Sequence, residues 1–168
     1  NSVTSGDEIA AVQKAVAAGV KGSGNVAAQS DLILKQMAGS PAANQPNYLA
    51  VLASIGGKSA LTSVEKAFNT GDAATKSAAI NALSNWSDAN AATALLKIAG
   101  KTTDANELNS ALTGYVAAIS KSTKTSVNKV IMLRDIMALA KTDAQKELIL
   151  KELSKNKTFN ALLFAGKF

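Results

Sequence analysis

Gly71-Asp72-Ala73-Ala74-Thr75-Lys76-Ser77-Ala78-Ala79-Ile80-Asn81-Ala82-Leu83, followed by Trp86-Ser87-Asp88, is the stretch that decides the fold. A Gly-Asp turn opens it, and an aspartate at such a place can accept the orphan amides of a helix start. Ala79, Ile80, Leu83 and Trp86 then recur at helical spacing and so fall on one inward face. A second polar turn, Ser87-Asp88, ends the unit and caps the next helix.

Outward from this stretch the same rhythm continues. Ser59 to Phe68 reads as a helix with Leu61, Val64 and Phe68 inward, and with Ala73 to Trp86 it makes one helical hairpin across the turn Asn69-Thr70-Gly71-Asp72. Ala89 to Ala99 (Ala92, Leu95, Leu96, Ile98) and the helix opened by Asp104-Ala-Asn-Glu107 (Leu108, Leu112, Tyr115, Val116, Ile119) make a second. Thr125 to Lys141 (Val127, Val130, Ile131, Leu133, Ile136, Met137, Leu139) makes a third with the helix behind the capping box Thr142-Asp-Ala-Gln145 (Leu148, Ile149, Leu150, Leu153). Thr158 to Phe168 begins a fourth. First helices start near residues 59, 89, 125 and 158, a period of about 30 to 36 residues at which helix pairs stack as a solenoid. Residues 1–46 follow the rhythm less clearly. A box at Ser5-Gly6-Asp7-Glu8 opens a helix with Ile9, Val12 and Val16 that ends near Gly19, and Asn25 to Met37 is a second with Leu32, Ile33, Gln36 and Met37 inward. A third carries Tyr48, Leu49, Val51, Leu52 and Ile55 up to Gly56-Gly57.

Composition agrees with a folded helical chain. Of 168 residues 47% are apolar and 18% charged, with two prolines, and Val and Ile arrive singly instead of in alternating runs, which gives strands little support. Zero Cys and zero His remove thiolate nucleophiles, disulfides, the commonest general base and the commonest transition-metal ligand. Every apolar run is broken by Lys, Asn, Ser or Asp before it reaches membrane-spanning length, so no membrane insertion is expected. The chain begins at Asn1, not Met, and is expected to be a piece of a longer protein. Charge is unevenly placed: residues 1–120 balance eight lysines with eight acids, and the whole +6 excess lies in residues 121–168, where nine lysines and Arg134 face four acids. Such an asymmetry fits either a solvated lysine face or an acidic partner, nucleic acid included.

The stretch from Gly71 to Leu83 with Trp86-Ser87-Asp88, echoed by Leu112-Thr-Gly114-Tyr115 one repeat later, resembles a short bacterial HEAT repeat, over roughly residues 47–168. The resemblance implies an all-α, right-handed α-α superhelix, a HEAT or armadillo-like solenoid of about ten helices, in which 1–168 is a single repeat domain with divergent helices in 1–46. It also implies a binding scaffold. Repeats of this type often stand beside concanavalin-like, sugar-acting hydrolases, which would favour an extracytoplasmic location.

Other motifs are weaker than their ordinary explanations. Gly57-Lys58-Ser59 has the end of a phosphate-binding loop, but Leu52 stands where the first glycine belongs and a helix precedes it. Ser63-Val-Glu-Lys66 and Ser154-Lys-Asn-Lys157 share Ser-x-x-Lys spacing without the companion elements of a serine enzyme, and Ser63 is expected to face solvent. Asp72, Asp88, Asp104 and Asp143 sit in first turns as caps, and Glu147-Lys151 is an exposed helix pair. Trp86, Tyr48 and Tyr115 read as core. The expected function is therefore a non-enzymatic protein–protein scaffold without cofactor or metal, with Lys76, Asn81, Asn109, Lys129 and Lys146 as the binding surface on the second helices of the pairs. An electrostatic nucleic-acid binder and an accessory module of a hydrolase are the alternatives; a single Arg among eighteen basic residues counts against the first. The exposed aromatics Phe159, Phe164 and Phe168 are expected to make an end-to-end contact, either with further repeats or with a second copy.

Overall fold

The structure, a computed structural model, describes residues 6–168. Ten α-helices succeed one another, with no strand among the described residues: α1 (Gly6–Gly22), α2 (Val26–Gly39), α3 (Gln45–Ile55), α4 (Lys58–Thr70), α5 (Ala73–Ser84), α6 (Ala92–Lys101), α7 (Ala105–Lys121), α8 (Ser126–Met137), α9 (Asp143–Leu153) and α10 (Phe159–Ala165). Two 3₁₀ turns, Ala42–Asn44 and Ala89–Ala91, lead into α3 and α6. The chain forms two compact units, Asn1–Ser87 and Asp88–Phe168.

Side-chain caps set the starts of most of these helices, satisfying amides that the helix itself leaves unbonded. Asp72 accepts from the Thr75 amide at 2.8 Å, Asp104 from Asn106 and Glu107, Thr125 from Asn128 and Thr158 from Ala161. At α9 the box is complete: Thr142 accepts from the Gln145 amide, and the buried Gln145 side chain accepts from the Thr142 amide and, at 2.8 Å, from that of Lys141. Between α3 and α4 the chain turns on Gly56 and Gly57, whose φ values of 80° and 94° lie in the left-handed region. The first expected box falls partly outside the described residues, because Ser5 precedes them; Asp7 and Glu8 occupy the first turn of α1.

In the first unit α3 is central and packs on α1, α2, α4 and α5. Leu49 and Leu52 of α3, Val64 of α4 and Ala79, Ile80 and Leu83 of α5 are buried, each large aliphatic side chain contributing about 1.5–3 kcal/mol by leaving water. Trp86 lies just past the end of α5 and is 1% exposed. The Ser87 amide next to it donates to the Ala53 carbonyl of α3 at 3.0 Å, tying the turn to the core. In the second unit α7 packs on α6, α8 and α9, and α10 rests on α8 and α9. Within the units, helices thus meet both their neighbour and the next but one: α1 with α3, α2 with α4, α3 with α5, α7 with α9, α8 with α10.

Several elements differ from the sequence expectation. α1 runs three residues past Gly19, since a glycine inside a helix weakens it without ending it. The segment after Asp88 starts as a 3₁₀ turn, and the α-helix begins only at Ala92. α8 stops at Met137, four residues before Lys141. Leu32, Val127 and Ile131, expected inward, are 56%, 49% and 50% exposed. They belong to apolar stripes wider than the neighbouring helices cover.

Candidate binding surfaces

The five residues expected to form one surface lie on four helices in two units. Lys76 and Asn81 stand on α5, five positions apart and therefore on different faces. Asn109 is exposed on α7, and Lys129 and Lys146 are half-buried on α8 and α9. Lys129 sits on the first helix of its pair, not the second as expected. Lys146 is engaged by Asp143 at 3.5 Å.

The basic segment is also partly committed to internal contacts. Lys155 holds the buried Glu152 carboxylate at 2.6 Å, and the Arg134 guanidinium lies 5.6 Å from the centre of the Phe164 ring, within cation–π range. Glu147 and Lys151 do not pair; the helix ion pairs of α9 run from Asp143 to Lys146 and from Glu152 to Lys155. At the end of the chain Phe159 and Phe168 are exposed, whereas Phe164 is half-buried and meets Phe168 edge-to-face at 5.4 Å. Phe164 is thus drawn into contacts of its own unit.

Groups with possible chemistry are placed as structural elements. A helix precedes Gly57, which has a left-handed φ at the N-cap of α4, so the strand-loop-helix frame of a phosphate-binding loop is missing. Ser154 donates its hydroxyl to the Lys151 carbonyl at 2.9 Å; Ser63 is half-buried on α4 and only partly exposed to solvent. Asp72, Asp88 and Asp104 cap helix starts, but Asp143 lies one residue inside α9, where Thr142 is the cap. Two backbone and side-chain hydrogen bonds from Thr75 hold the Asp72 carboxyl below the usual carboxylate range. Burial, assisted by the negative charge of Asp135, pushes the Tyr115 phenol up to about 12. Among the described residues no three acidic side chains gather as a metal site would require.

One concavity lies in the first unit. A cleft of about 680 Å³ opens between α1 and α2 with α3 as its floor. Its walls are Ile9, Val12, Val16 and Val20 on one side and Gln29, Leu32, Ile33 and Gln36 on the other; Tyr48 and Val51 lie at the base. No family model, curated protein or solved structure matches this chain.

Two hydrogen bonds brace the cleft from within the unit. Gln13 ties α1 to α3 by donating to the Asn47 carbonyl at 2.8 Å, and Tyr48 shares a 2.9 Å hydrogen bond with Ser40 at the end of α2. Tyr48 is only half-buried, unlike the core tyrosine expected. Sequence reasoning missed the cleft. Its signal was nonetheless present: Gln36 fell on the face of α2 read as inward, and a carboxamide there does not seal against the apolar stripe of α1.

Proposed function

We propose that this chain is a non-enzymatic protein–protein interaction scaffold built of HEAT-like helical hairpins, stacked as a right-handed α-α solenoid. The observation that carries the reading is that within each unit helices pack on their neighbour and several also on the next but one, the pattern in which stacked hairpins bury stripes too wide for one pair to cover. A solenoid offers its partners long helical surfaces that no single pocket defines. Lys76, Asn81, Asn109, Lys129 and Lys146 remain the polar positions at which such a partner would be read.

The immobilised chain, incubated with extract of its source cells with and without nuclease at low and high salt, tests this. Retention of the same proteins after nuclease and through high salt is expected. Recovery of nucleic acid alone, released by salt, would transfer the function to the lysines of residues 121–168.

A further inference from the structure

We infer that α10 and the outer face of α8 lie on an anionic phospholipid surface, their apolar side chains entering the interface and the neighbouring lysines meeting the headgroups. The inference goes beyond the scaffold reading and does not depend on it. A helix at the surface of a protein normally turns its polar side to water and its apolar side inward. α10 reverses this. Ala161 is buried and Phe164 half-buried against the unit, whereas Phe159, Leu162 and Leu163, at i, i+3 and i+4, share the outward face at 74%, 72% and 53% exposure. Phe168 follows at 61%. The other exposed large apolar side chains described in the second unit, Val127 and Ile131, stand on α8. They share a face with Arg134, at i, i+4 and i+7, and Arg134 reaches the Phe164 ring of α10, so the two apolar surfaces adjoin.

Charge selects the occupant. Beyond Glu152, whose buried carboxylate Lys155 already holds, the sequence to Phe168 has no acidic side chain, while Lys157 and Lys167 flank α10 and are exposed. On α8 Asp135 offsets Arg134, and Lys124 stands exposed three residues before Val127. The patch is thus apolar in the middle and cationic at its edges, the combination that holds peripheral proteins at anionic bilayers. A second copy is opposed on the same ground, because a two-fold contact would set the patch against itself and its lysines against lysines. Nucleic acid would satisfy the lysines and leave the rings in water. An acidic protein would need a hollow shaped to the projecting rings, whereas a bilayer interface admits them without one, and the point charge of lysine suits headgroups free to move beneath it. Among the described residues no helix is long and apolar enough to cross a membrane; the contact is adsorption at its surface.

Flotation of the full chain with phosphatidylcholine vesicles, without and with phosphatidylserine at about a third of the lipid, tests this. Binding is expected only with phosphatidylserine, and is weakened at least about tenfold both by Leu162→Asp and by Lys157→Glu combined with Lys167→Glu. All three positions are exposed, and circular dichroism checks that the variants fold. In Phe159→Trp the added indole should shift its emission to the blue on phosphatidylserine vesicles, while the buried Trp86 keeps its own. Equal binding to both vesicles, binding that Leu162→Asp leaves intact, or no binding would overturn the inference. So would a dimer in sedimentation equilibrium that Leu162→Asp dissociates, since a second copy would then cover the patch. Proteins retained in the pull-down but lost on Leu162→Asp, from a chain that binds neither vesicle, would assign the patch to a protein partner instead.

Discussion

Gly71 shows why the sequence pattern has a glycine in front of its aspartate. Its φ of −76° is ordinary for any residue, so conformational freedom is not the reason. Space is: a Cβ there would meet the Ala67 carbonyl oxygen and the Thr75 methyl at 2.6 Å each. Backbone cannot retreat as the end of a flexible side chain can, and Gly71→Ala is expected to cost about 1–3 kcal/mol, read as a lowered midpoint in urea unfolding. Tyr115 gives a pH prediction at the same scale. Its folded-state value of about 12 is above the usual 10, so the folded chain keeps the proton longer than the unfolded one. The associated stability is complete below pH 10 and is lost as pH rises from 10 to 12. In Tyr115→Phe the alkaline fall in melting temperature should be shallower. An unchanged alkaline fall would mean that Tyr115 does not carry it.

Among the elements, α9 depends most visibly on its cap. Thr142 and Gln145 exchange side chain and backbone in both directions, and Gln145 adds a bond from Lys141. Thr142→Ala is expected to destabilise by about 1 kcal/mol. Gln145→Ala should cost more than a surface truncation because it strips two amides of their acceptor in a half-buried setting; a double-mutant cycle in urea should show coupling between the two sites. That box was legible in the sequence, as were the caps at Asp72 and Asp104, because capping is a local interaction over three or four residues. Core positions of α5 and α7 were legible for a similar reason, their apolar residues recurring on one face. Val127, Ile131 and Leu32 were not: periodicity says which residues share a face, but the helix that covers or leaves open that face comes from elsewhere in the chain. The cleft escaped notice on the same ground, since α1 and α2 each look like ordinary amphipathic helices until both are seen leaning on α3.

For the molecule as a whole the deciding quantity is how its net charge of +6 acts on partners. All of the excess lies in residues 121–168, which would make that segment the natural site for a polyanion. The side chains there argue for a weaker effect. Lys146 and Lys155 already face carboxylates, Arg134 stacks on Phe164, and lysine supplies point charges in place of the planar forks that hold phosphates in register. Only general electrostatic attraction is left, and it depends on counterion release. A labelled DNA duplex monitored by fluorescence anisotropy should therefore bind no more tightly than the range of non-specific association, about 10⁻⁴ to 10⁻⁶ M at physiological salt. Binding should collapse between about 50 and 200 mM salt, and Lys129→Ala should reduce it no more than Lys124→Ala. A duplex held more tightly than that, with Lys129 dominating, would show a built phosphate site on α8 and displace protein binding as the main activity. The scaffold reading requires the opposite ranking, in which protein partners persist at a salt concentration that has already released the duplex.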